Sequence, residues 1–234
     1  MKKIVLLVFV IFVAVAMGGT WYHVKNVKNK PIYANVLPQE EKITDNNLLW
    51  PKIQELPNIE VQKNLNSVLQ QEFIRLSDEA AQMQKVSVRA DYLVQFNTQN
   101  ILSLTITESL YPERAAHPMS YLKAFTMNVQ TGKIYQFPDL FKPGSAYQAR
   151  VNEIIQKQIN SKEIVFIAPY TGIKENEQGF YLTAKEVVVF YQLYEYTPYV
   201  YGFLKFAIPF DQIADIINPE IGKAILAAQL HLKK

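Results

Sequence analysis

The sequence predicts an α+β fold: antiparallel sheets packed by helices, after an N-terminal hydrophobic membrane segment. Three observations predict it. An uninterrupted apolar run, Ile4 to Met17, follows Lys2 and Lys3. Further on, a block of three segments alternates apolar with polar residues, the period of half-buried strands, and an aromatic-rich block of strand character follows later. Around these blocks stand segments whose apolar residues recur every three or four positions, as on one helix face.

The apolar run has two readings. Ala14-Val15-Ala16 fits the small-x-small pattern of a signal-peptidase site. Extended through Gly18, Gly19 and Thr20 to Trp21 and Tyr22, the run covers 19 residues. That is close to the roughly 20 needed to cross a bilayer, with an aromatic pair at the outer interface. Residues 1–22 are therefore expected to be a signal anchor, or a signal peptide cut after Ala16. Both readings place the remainder outside the cytoplasm, at the cell membrane or secreted.

Residues 23–38 read as a linker, rich in Asn and Lys and broken by Pro31 and Pro38. Residues 39–141 are expected to form an N-terminal lobe of one helix and a three-strand meander. "EEKITDNNLLWPKIQELPN" reads as extended, and Asn58 then caps a helix whose stripe is Val61, Leu65, Val68, Leu69, Phe73 and Leu76. "VRADYLVQF", "ILSLTITESLY" and "YLKAFTMNV" are the strands, with a hairpin turn at Asn97 to Asn100. In the second, Leu102, Leu104, Ile106, Glu108 and Leu110 share one face.

Residues 142–234 are expected to form a C-terminal lobe. Ser145, with Gln148 three residues on, has the pattern of a capping box for a helix buried through Val151, Ile154, Ile155 and Ile159. Val187 to Tyr194 is apolar on both faces, the mark of a strand covered twice. A short helix follows near Asp211, and Asn218-Pro219 opens a terminal helix.

Composition narrows function. There is no cysteine, which excludes disulfides, thiolate metal sites and a lipoprotein anchor. The net charge of +3 arises from Lys2, Lys3, Lys25, Lys28 and Lys30. From Gln39 onward 19 basic residues face 21 acidic ones, about −2, without a dense Lys/Arg cluster, so no nucleic-acid partner is expected. No phosphate loop, G-x-S-x-G or H-E-x-x-H motif is present, and neither a cofactor nor a bound metal is expected.

Taken together, "LLWPKIQELPN", "ILSLTITESLY", "AAHPMSY", "FTMNVQTGKIYQFPDLF", "FYLT" and "YEYTPYVYG…FAIPF" resemble an exported family. It is the extracytoplasmic domain, catalogued as a pair of domains of unknown function, shared by the lysozyme-sensing membrane anti-sigma factor and a peptidoglycan (polysaccharide) deacetylase. The resemblance runs from Leu48 to Ile217. It implies a wall-associated ligand, either a lysozyme-like protein or a peptidoglycan fragment. Two departures limit what it carries over. Only Met1-Lys2-Lys3 precedes the apolar run, so direct sigma-factor binding is not expected, and no catalytic domain follows the shared region, so deacetylation is not expected either. The family's Gly-Ala-His turn is here Ala115-Ala116-His117; were that glycine at positive φ, alanine would strain the loop by about 1 kcal/mol.

The candidate ligand-binding residues are His117, Glu195, Tyr196, Tyr199 and Tyr201. His117 lies in a turn braced by Pro112 and Pro118, where the simpler reading is an imidazole hydrogen-bonding backbone carbonyls. Phe180 to Phe210 holds 11 of the 27 Tyr and Phe residues. Most are read as core. Tyr196, Tyr199 and Tyr201, set around Pro198, are read as binding residues because Tyr joins apolar area to a polar tip. Glu108 and Glu195 are expected at exposed strand ends, or buried with a partner such as Arg114 or Lys205. The function expected is a non-catalytic, membrane-tethered binding or sensor module. The alternatives are a wall-active hydrolase or esterase using Glu108, Glu195 and His117, and a structural accessory subunit of an envelope complex.

Overall fold

A computed structural model describes residues 31–83 and 85–232. The expected membrane segment and the first half of the linker, residues 23–30, lie outside the described residues. Within them no helix is long and apolar enough to cross a membrane.

The described residues form an α+β fold with three antiparallel sheets and three α-helices. β1 (Asn35–Ile43) and β2 (Asn46–Gln54) pair as a hairpin. This differs from the merely extended reading, and Asn35 to Pro38 belong to a strand instead of a linker. Pro38 sits opposite Pro51 in the register. A two-stranded ribbon tolerates that pair because neither residue need donate across the ladder. Trp50, Ile53 and Leu48 point into the core, and Trp50 Nε1 donates to the Leu69 carbonyl at 3.1 Å.

α1 (Ile59–Ala81) starts where the Asn58 side chain accepts from the backbone N–H groups of Glu60 and Val61. Its buried stripe is Val61, Leu65, Leu69, Phe73, Leu76 and Ala80. That stripe packs against β2 and against one face of a meander of β3 (Val86–Thr98), β4 (Ile101–Pro112) and β5 (Met119–Asn128), in the order β3-β4-β5. Gln99 and Asn100 both have positive φ, the conformation of a two-residue hairpin turn.

α2 (Tyr147–Ser161) lacks the expected capping box. Its N-cap is Ala146, and the Ser145 hydroxyl is buried without a hydrogen bond. The helix begins one residue later than a Ser145 cap requires, which leaves the Ser145 hydroxyl out of register with its free N–H groups. The last sheet, β6 (Gly179–Leu182), β7 (Glu186–Tyr191) and β8 (Leu204–Pro209), has β7 in the centre. β7 is covered on both faces: Val187, Val189 and Tyr191 join α2 and the terminal α3 (Pro219–Leu232), while Val188 and Phe190 pack on Tyr181 and on Leu122 of β5. At Gly179 a Cβ would lie 2.7 Å from the Phe190 ring, so the close approach of β6 to β7 there needs glycine. Phe96, Ile101, Tyr135 and Phe137 pack with the C-terminal elements, so the second core reaches back across the expected lobe boundary at residue 141.

Three side-chain amides complete backbone positions that no strand reaches. Asn97 holds Ala34 (3.0 and 2.8 Å), Asn66 holds Ile53 (2.9 and 2.8 Å), and Gln192 holds Leu122 (3.0 and 2.8 Å). Each accepts from the N–H and donates to the carbonyl of one residue, as a neighbouring strand would.

Candidate functional site

The turn between β4 and β5 carries His117. Arg114 takes the positive φ of 70°, and Ala115 does not, so alanine at the family's glycine position is unstrained here. The imidazole is half-buried. Its Nδ1 lies 3.1 Å from the Pro118 carbonyl, which can only accept, so Nδ1 carries the proton. Nε2 then accepts from the Tyr194 hydroxyl at 3.0 Å. Tyr199 stacks on the same imidazole with centroids 4.1 Å apart and planes at 22°. Tyr194 and Tyr199 approach each other at 5.9 Å, completing a three-ring cluster.

An open groove of about 790 Å³ adjoins this cluster, walled by Tyr194, Pro198, Tyr199, Val200 and Phe203, with Thr107 and Ser120 on its polar side. Val200 at the rim is 85% exposed. The groove thus offers flat rings and apolar edges together with hydroxyls, the mixture suited to a partner side chain or a sugar face.

The other predicted residues go elsewhere. Tyr196 is 5% exposed, and its hydroxyl lies 2.8 Å from Thr171 Oγ1, in the aromatic core with Tyr170 and Tyr191. It is a core residue, correcting its assignment to a binding loop. Tyr201 is exposed, but its hydroxyl accepts from Val165 N–H at 3.0 Å, tying it to the 163–165 segment. The Glu195 carboxylate accepts from Gln192 N–H at 2.9 Å and pairs with Lys174 at 2.8 Å, which fastens the turn before Tyr196. Tyr194 was missed. It closes the run read as a continuous strand, whereas β7 ends at Tyr191 and Tyr194 takes a positive φ of 63° in the turn beyond.

Glu108 is fully buried, on the core face of β4, and not at an exposed strand end. Its partner is Arg75 of α1, neither Arg114 nor Lys205. Arg75 is also held by Glu72 and by Glu79 (2.6 Å), Lys123 lies 3.3 Å from Glu72, and the Tyr121 hydroxyl donates to Glu79 at 3.2 Å. Burial pushes the Glu108 carboxyl up to about 7, against the pull of Arg75 and with repulsion from Glu72. One oxygen, Oε1, is buried without a hydrogen-bond partner. His117, Glu108 and Glu195 each contact different groups, and no contact joins any two of them. Among the described residues no set of three or more His, Asp or Glu is placed to hold a metal ion.

Residues 138–211 match the family model DUF3298, described as a protein of unknown function. The resemblance to a domain of unknown function is borne out over that segment. The structure is similar to that of a DUF3298 family member from Bacteroides fragilis, at 13% identity with a TM-score of 0.59, covering 85% of this chain and all of that one. It is similar also to a DUF3298 family protein from Pseudomonas aeruginosa PAO1, at 15% identity with a TM-score of 0.59, covering 83% of this chain and 98% of that one. At such identities the likeness is one of fold. No curated protein matches the chain. The DUF3298 segment contains Tyr194 and Tyr199, whereas His117 comes from the meander before it, so the ring cluster is assembled across the segment's N-terminal boundary.

Proposed function

We propose that this chain is a non-catalytic binding module, held on the outer face of a cell membrane by its N-terminal segment. The ligand is wall-associated, a lysozyme-like protein or a peptidoglycan fragment, and binds at His117, Tyr194 and Tyr199. The observation that carries the reading is the three-ring cluster itself. Two exposed or half-exposed tyrosines are fixed by a stack and a hydrogen bond to an imidazole that the Pro118 carbonyl fixes in turn. Rings held this way lose little conformational freedom when a partner covers them, which favours recognition. The placement outside the membrane rests on the apolar run Ile4–Met17 and on the family resemblance.

Calorimetry on the full chain in detergent, with hen lysozyme and separately with soluble muropeptides, tests the proposal. Binding of either one, lost in Tyr199→Ala with the melting curve retained, is the expected result. Absence of heat with both overturns it.

A further inference from the structure

Among the described residues β5 is the edge strand of the β3-β4-β5 sheet, with β4 as its one neighbouring strand. In this strand the even-numbered residues turn their backbone N–H and C=O away from β4. Leu122 gives both groups to the Gln192 carboxamide, the Thr126 carbonyl accepts from Tyr135 N–H at 2.8 Å, and Asn128 N–H donates to the Lys133 carbonyl at 2.8 Å. The register from Met119 to Asn128 has no bulge. Ala124, midway between Leu122 and Thr126, therefore faces the same way. Among the described residues no hydrogen bond reaches its N–H or C=O from that side. In front of it opens a groove of about 490 Å³, lined by Ala124, Phe125, Gln136, Gln178 and Phe180 and bounded by the Gln192 clamp.

We propose that this groove binds an extended peptide segment, whose backbone amide completes Ala124 as the Gln192 side chain completes Leu122. Three features select that occupant. An N–H and a C=O side by side on an edge strand match an amide, which supplies one acceptor and one donor at the same spacing. The fold itself closes Ile53, Ala34 and Leu122 with amides, so the geometry at the neighbouring position already holds one. The local cations are spoken for: Lys123 pairs with Glu72 at 3.3 Å and Lys174 with Glu195 at 2.8 Å. The groove thus favours a neutral backbone over a carboxylate or phosphate. This site uses none of the three rings of the cluster, so it stands or falls separately from the proposed function.

The test uses the full chain in detergent, labelled with ¹⁵N-alanine, and acetyl-trialanine methylamide as the probe. In the free chain the Ala124 amide is expected to exchange with solvent far faster than the amides bonded within the β4–β5 ladder. At millimolar probe its resonance shifts and its exchange slows by about tenfold or more. The same peptide N-methylated at its central amide produces neither effect, a control independent of any change to the protein. An Ala124 amide already protected in the free chain, an absent response to the probe, or an equal response to the N-methylated peptide overturns the proposal. So does a response to di-N-acetylchitobiose alone, which would make the occupant an acetamido sugar.

Discussion

The imidazole of His117 lies face to face with the ring of Tyr199, with centroids 4.1 Å apart although 82 positions separate them in the chain. Because Nδ1 is committed to the Pro118 carbonyl, the ring cannot turn without breaking either that contact or the Tyr194 bond. Each member of the cluster restrains the others, yet none is deeply buried. Tyr199→Ala is therefore expected to change stability by less than about 1 kcal/mol. The same substitution should weaken binding of the ligand found by calorimetry at least tenfold, about 1.4 kcal/mol, as loss of an aromatic anchor does. Urea melts and titrations on the same preparation check both halves.

Tyr196 should behave in the opposite way. Three residues from Tyr199, it is closed into the core, with ring contacts to Tyr170 at 5.5 Å and Tyr191 at 5.0 Å. Tyr196→Ala is expected to cost about 3–5 kcal/mol. Tyr196→Phe should cost about 1 kcal/mol, from the unpaired Thr171 hydroxyl. Ligand affinity of the folded Tyr196→Phe variant should equal that of the unaltered chain. A selective loss of affinity in Tyr196→Phe would return this residue to the binding surface.

That contrast shows what the sequence makes legible. Asn58 and the stripe from Val61 to Leu76 declare α1, because a capped amphipathic helix writes its period into the chain. The alternation from Leu102 to Leu110 declares β4 and puts Glu108 on the face of its leucines. Yet a carboxylate there reads first as an exposed strand end, because burial needs a partner that the strand does not show. Its partner Arg75 lies 33 positions away on another element, and only packing reveals it. The β1–β2 hairpin is hidden by Pro38, Pro51 and a turn at Thr44 that uses a positive φ without glycine. In the run around Pro198 the strand period has lapsed, so nothing local distinguishes Tyr196, which turns inward, from Tyr199, which stays at the surface.

The hidden hairpin has a measurable consequence. A chain beginning at Gln39 would lose the first four residues of β1 and both Asn97 bonds to Ala34 (3.0 and 2.8 Å). It would also lose the pair that joins Ile32 to Asn100. Compared with a chain beginning at Pro31, it should be less stable by about 3 kcal/mol, from unmade hydrogen bonds and an opened ribbon. Equal urea midpoints for the two would show that β1 contributes nothing to the fold.

Glu108 predicts a pH dependence whose sign follows from its burial. The folded chain holds the carboxyl proton up to about 7, whereas an unfolded carboxyl releases it near 4.5. Between those values the folded state binds more protons than the unfolded one, so stability falls as pH rises. The contribution is fully present below about 4.5 and lost through about 7, with a size of at most about 3 kcal/mol. The charged groups that face Glu108 come from two elements: Arg75, Glu72 and Glu79 on α1, and Lys123 with the Tyr121 hydroxyl on β5. Asp139, whose carboxyl Lys133 and the Gln136 N–H hold below its usual range, acts in the opposite sense and only under more acidic conditions. Glu108→Gln keeps an acceptor for Arg75 and removes the titration. Urea unfolding at about pH 5 and about pH 8 should therefore show a drop in stability for the unaltered chain and a flat profile for the variant. Removing Arg75 instead, as Arg75→Met, leaves Glu108 without its cation, so the carboxyl should stay protonated to still higher pH and the fall in stability should move with it. A profile that stays put in Arg75→Met, or that slopes equally in Glu108→Gln, would assign the titration to another group.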